Sequence, residues 1–254
     1  MIRERLLQDL FKRFDFEYKE ISEEYKYIGT GNPNAGILII GKEVAIESNV
    51  FPDQYRIEVI DNFRAWKKME CYDQELVRAK DWANYSPLYP YKGQVLKINN
   101  DKNEGTSRTW YNYQKLCNHI FKITDNQDIN FHEKIFITEV NSTPSPKTKN
   151  ASRDSIPFRK EHFLSSEFIQ SFPIVLICGV GYFHISDTSN EIEEIFKVKF
   201  SEKKIANDNE KQPYWLHWNP DKTKLLINTY QLSMNVSDAL LQDVANIIKN
   251  SNLL

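Results

Sequence analysis

Residues 29–43 read Gly29-Thr30-Gly31-Asn32-Pro33-Asn34-Ala35-Gly36-Ile37-Leu38-Ile39-Ile40-Gly41-Lys42-Glu43. A turn-rich passage feeds four aliphatic residues, glycine stands at both ends of the run, and charge returns at once. A continuous β-branched run bounded in this way is the pattern of a strand buried on both faces, as in a parallel sheet. Three later runs repeat it: Ile135-Phe136-Ile137-Thr138-Glu139-Val140, Ile174-Val175-Leu176-Ile177-Cys178 and Leu225-Leu226-Ile227-Asn228. Helical periodicity fills the intervals. Ile2, Leu6, Leu7, Leu10, Phe11 and Phe14 share one face, as do Trp110, Tyr113, Leu116, Cys117, Ile120 and Phe121. A shorter helical stretch ends at Phe172-Pro173, and Ser237 is placed to cap a helix burying Leu240, Leu241, Val244, Ile247 and Ile248. Strands alternating with helices predict a layered α/β fold.

The chain has 254 residues, 41% hydrophobic and 13% aromatic, which excludes a disordered or low-complexity class. Lys plus Arg (33) nearly balance Asp plus Glu (35), so any nucleic-acid contact must come from a local patch. Cys71, Cys117 and Cys178 form no CxxC pair, and the five histidines show no HxH or HxxxH spacing. No cofactor and no metal are expected. The charged start, Met1-Ile2-Arg3-Glu4-Arg5, is not a signal peptide, and no apolar run reaches the ~20 residues of a membrane span. The expectation is a cytoplasmic protein without membrane contact. Residues 1–254 read as a single α/β domain with insertions near 44–105 and 201–222. The first holds the aromatic segment Tyr85–Tyr91, the second Trp215 and Trp218.

In an open parallel sheet, ligands bind at the carboxyl ends of the strands. Four sequence-distant clusters follow the four runs: Gly41-Lys42-Glu43, Asn141 to Pro146, Gly179 to Tyr182, and Asn228 to Ser233. Rival motifs are missing. Gly29-x-Gly31 precedes its strand, where a dinucleotide fingerprint would follow one, and reads as a turn; neither GxxxxGK[ST] nor GxSxG occurs. Glu43 reads either as a reactive carboxylate or as a solvated partner of Lys42. Asn141 reads either as a base-edge reader or as an Asx turn. Lys147, Lys149 and Arg153 follow the second run among Ser and Thr and could hold phosphates.

These clusters, in order, resemble the uracil-DNA glycosylase superfamily. "GTGNPNAGILIIGKE" is similar to its Gly/Pro/Asn-rich opening and water-activating motif, and "IFITEVNSTPSP" to its second strand. "VLICGVGYF" is similar to its third strand and glycine turn, and "LLINTYQLSMNVSDALL" to its last strand, loop and helix. The resemblance implies a three-layer α/β/α sandwich around a four-stranded parallel sheet, the runs lying in the order second, first, third, fourth. It implies Glu43 in place of the aspartate that activates water. It implies base-binding roles for Asn141, Tyr182 and Ser233, and DNA as partner. The histidine of the last loop aligns with Asn228, or with Thr229 if the loop is shifted, so Asn228 stands as the second catalytic candidate. The expected activity is hydrolysis of an N-glycosidic bond to a base in DNA; the alternative is a non-catalytic member that binds nucleic acid, a nucleotide or a protein.

Overall fold

A computed structural model describes residues 2–69, 85–90, 94–98, 105–206, 212–233 and 235–254. The sheet is mixed and seven-stranded. Its strands are β1 (Thr30–Gly31), β2 (Ile37–Glu43), β3 (Ile135–Asn141), β4 (Ile174–Ile177), β5 (Lys199–Ile205), β6 (Pro213–Trp218) and β7 (Leu225–Thr229). They lie in the order β1-β3-β2-β4-β7-β6-β5. The four apolar runs form the contiguous centre, β3-β2-β4-β7, and all three of its pairings are parallel. The expected order of the runs is the observed one, and the chain is an α/β protein.

The extent of the sheet corrects the four-stranded expectation. β1 pairs antiparallel with β3, and β6 and β5 extend the other side antiparallel to β7. Gly29 and Gly31 are therefore not merely a turn. Both have positive φ, and a Cβ on either would stand 2.1–2.3 Å from a β3 carbonyl oxygen, so only glycine permits this approach. The stretch 201–222 is likewise not an insertion over one face, because most of its described residues are β-ladder.

Alternation along the strands builds two cores. Leu38, Ile40, Phe136, Val175, Ile177 and Leu226 face one way. They pack on α1 (Ile2–Phe16), α3 (Asn62–Lys67), α5 (Ile156–Ser165), α6 (Glu167–Gln170) and α7 (Glu191–Phe196). Ile37, Ile39, Ile135, Ile137, Leu176 and Ile227 face the other way, onto α4 (Arg108–Phe121) and α8 (Asp238–Asn250). α4 and α8 carry the predicted apolar faces, and the Ser237 hydroxyl accepts from Leu240 N at 3.2 Å as the expected cap. Part of 44–105 also enters the core. α2 (Pro52–Tyr55) runs into a π-turn at Arg56–Ile60 and then α3, whose Trp66 is fully buried and donates from Nε1 to Gly29 O at 2.8 Å. Cys117 and Cys178 are buried thiols, as small apolar residues would be; Cys71 lies outside the described residues. Among the described residues no helix is long and apolar enough to cross a membrane.

Candidate functional site

The apolar ladder facing α4 and α8 turns polar at its carboxyl end. Ile37 and Ile39 on β2 are followed two residues on by Gly41 and then Glu43. On β3, Ile135 and Ile137 are followed by Glu139 and then Asn141. Gly41 pairs with Glu139, and Glu43 with Asn141. A pocket of about 140 Å³ opens there. It is lined by the carboxyl-bearing Glu43, Glu58 and Glu139, by the rings of Tyr27, Tyr85, Trp110 and Tyr113, and by Gln231 from the loop after β7. Drug-sized ligands occupy ~300 Å³ or more, so this space suits one small ring.

Glu139 is the residue that the sequence reading passed over. A charge inside an otherwise apolar central strand was the signal that could have found it. Its Oε2 is enclosed and accepts no hydrogen bond among the described residues. Gly41 makes the space: a Cβ there would lie 2.2 Å from that same oxygen. Burial pushes the Glu139 carboxyl up to about 8, the Glu43 charge adds to the shift, and the Arg159 guanidinium opposes it. Glu58 projects from the π-turn, a helical irregularity frequent at functional sites. Burial pushes it up to about 7, against a 2.8 Å hydrogen bond from Gln54.

Glu43 is almost fully buried, and both of its oxygens accept hydroxyls, one from Tyr182 and one from Thr148. Burial and the Glu43 contact together push the Tyr182 phenol well above its usual range. Its ring carries two cations, with the Arg153 guanidinium 5.0 Å and the Lys42 ammonium 5.8 Å from the centroid. Lys147 and Lys149 are exposed beside Thr148. None of these four cations has an ion-pair partner among the described residues. A basic rim thus stands next to an acidic, aromatic pocket.

The other sequence candidates take different places. Asn141 is fully buried, and its amide holds the following loop and also bonds to Tyr182. It donates to Ser152 O at 2.7 Å and accepts from Ser155 Oγ at 2.6 Å and Thr143 N at 3.1 Å, the last an Asx turn. Asn228 pairs with Ile177 in the ladder that faces away from α4, and its Oδ1 is buried without a partner among the described residues. Ser233 presents its carbonyl to Asn112 Nδ2 at 3.2 Å, and neither Asn228 nor Ser233 lines the pocket. Tyr85 does line it; Tyr91 lies outside the described residues. No group of three or more His, Cys, Asp or Glu residues suited to a metal occurs among the described residues.

No family model, curated protein or solved structure matches this chain. The site must therefore be read from its own chemistry.

Its buried acids set a pH dependence of stability. The carboxyls of Glu139 and Glu58 start from 4.5 in the unfolded chain and hold their protons to about 8 and 7 when folded. The folded state then binds more protons, so their contribution is full below about pH 4.5 and is lost as pH rises through 8. His132 and His162 act oppositely. Burial lowers His132 to about 3 and His162 well below 6.5, so their contribution is full above 6.5 and is lost on acidification. Stability is expected to be greatest between roughly pH 5 and 6.5, falling by about 2 kcal/mol or more, some 5 °C in Tm, by pH 9. Glu139→Gln should flatten that alkaline limb in thermal melts. An alkaline limb identical to wild type would place its origin elsewhere.

Proposed function

We propose that the chain is a divergent uracil-DNA glycosylase-like protein that draws a base of DNA into the Glu43–Glu139 pocket and hydrolyses its N-glycosidic bond. The observation that carries this reading is convergence. Three carboxyl groups in different environments, four aromatic residues and an amide meet at the carboxyl ends of β2, β3 and β7, beside cations that have no ion-pair partner among the described residues. Breaking an N-glycosidic bond leaves positive charge on the sugar and negative charge on the base. Glu43 is the group for the sugar side, stabilising the cation or activating water. Aromatic walls receive a base that has left the stack. Lys42, Lys147, Lys149 and Arg153 are placed for the flanking phosphates.

One observation favours a binding protein without turnover: both oxygens of Glu43 are already engaged. Each oxygen keeps one further acceptor site, so Glu43 can act on water only where the pocket lets a water reach that site. A strand-release assay on oligonucleotides containing uracil, mismatched and damaged bases, run beside a salt-dependent binding titration, separates the two. Release of any base supports hydrolysis. Binding without release moves the assignment to the non-catalytic reading, and neither binding nor release removes both.

The basic rim gives its own prediction. Replacing Lys147 and Lys149 together by Ala should weaken DNA binding alike across sequences and lower the magnitude of the salt slope by about 2, one counterion per lost phosphate contact. An unchanged slope in the titration would place the interface elsewhere.

A further inference from the structure

A departing base takes the bonding electron pair with it, and protonation is one way to stabilise the charge it carries off. Asn228, the candidate at the end of β7, faces away from the pocket and cannot be the donor. Resting on the glycosidase reading above, we infer that Glu139 is the proton donor to the departing base. It is thus a catalytic residue, on the strand beside the one that carries Glu43.

Two observations place it there, its position in the pocket and the surroundings of its Oε2. The Glu139 side chain lines the same pocket as Glu43, one pleat lower on the neighbouring strand. Its Oε2 is enclosed and makes no hydrogen bond among the described residues, so the carboxyl has an unmet hydrogen-bonding demand beside the pocket its side chain lines. Gly41, directly opposite in register, leaves the volume the carboxyl occupies. The charged and titratable surroundings are consistent with a protonated resting state. Glu43 raises its affinity for the proton, and Tyr27 and Tyr113 meet it as neutral phenols. Glu58 stands in the same pocket, itself shifted toward the neutral form. Arg159 alone favours the anion, and its guanidinium is committed to Thr138 Oγ1 and to the carbonyls of Glu139 and Tyr27. A carboxyl pair whose environments push the two members apart is the arrangement that assigns acid and base.

The step balances. The C1′–N bond breaks with its electron pair moving to the base, which takes the Glu139 proton at nitrogen or at a conjugated oxygen. Water oxygen bonds C1′, its proton passes to Glu43, and both carboxyls return to their resting states through solvent. The substrate class follows: a neutral base that must be protonated to leave, rather than one already carrying fixed positive charge.

The test uses the full chain on oligonucleotides carrying uracil or 5-fluorouracil. The two bases are alike in size, and fluorine makes the second a better leaving group. Glu139→Gln keeps the shape and cannot give up a proton. It should slow uracil release at least ~100-fold and 5-fluorouracil release by less than ~10-fold, the scale of a lost general acid. Wild-type turnover should fall above pH 8, and Glu139→Gln should lose that fall. Equal slowing on both bases, an undiminished rate, or a wild-type rate that is flat from pH 7 to 9 overturns the role of Glu139 while leaving the hydrolase reading intact. If the wild type releases neither these bases nor any on the wider panel, the hydrolase reading fails and this inference with it. A melt of Glu139→Gln at pH 6 checks that the variant is folded.

Discussion

Glu43→Gln is expected to lower the rate of base release roughly 10²–10⁴-fold, the scale of a lost general base, with base binding intact. Gln keeps the length and the acceptor that Tyr182 or Thr148 uses, and loses the charge that stabilises a cationic sugar or takes a proton from water. Single-turnover release and equilibrium binding on the same oligonucleotide separate the effects. Full turnover in Glu43→Gln excludes a catalytic role for this residue. Weakened binding with unchanged turnover would make it a clamp on the loop at Thr148.

Arg159→Met should produce the largest loss of stability. The guanidinium is fully buried and reaches the Glu139 carbonyl from Nε at 3.2 Å and from Nη2 at 3.0 Å, Thr138 Oγ1 at 2.8 Å, and the Tyr27 carbonyl. Methionine fills much of the volume and leaves those acceptors without a donor in a dry interior. The cost is about 3–5 kcal/mol, which for a chain of this size is roughly 10 °C in Tm. Arg159→Lys should recover little, because one ammonium cannot reproduce the planar fork. A Tm within about 2 °C of wild type would show that other donors take over. Losing the guanidinium also removes the one charge that opposes proton retention by Glu139, so its carboxyl should hold its proton to still higher pH.

Both residues show how the sequence relates to the site. Glu43 was legible because it ends an aliphatic run in a parallel strand, and strand ends in such sheets gather on one edge. Arg159 was not, because a charge on a helix of mixed composition reads as solvent-facing until the carbonyls around it are known. Asn141 was legible as a residue at the site but not in its use. Only the loop that returns past Ser152 and Ser155 reveals that its amide holds backbone. Asn228 was placed on the correct strand, yet the parity of β7 turns it to the other face.

The sequence by itself determined the α/β class, the four central strands and their buried faces, and the helices at either side, α1, α4 and α8 with its serine cap. Those features rest on local periodicity and end chemistry, which the chain carries wherever it folds. Tertiary structure alone decided the rest. Lys199–Ile205 is almost entirely exposed and carries four charges in seven residues, so nothing local marks it as a strand; pairing with β6 does, and its charges suit an open edge. The π-turn that aims Glu58 into the pocket and the glycine opposite Glu139 acquire meaning only once elements distant in sequence are in contact. Whether a carboxyl is a solvated charge or a buried acid depends on the neighbours that desolvate it, and in this pocket those neighbours come from the β2, β3 and β7 regions, the α4 helix and the π-turn.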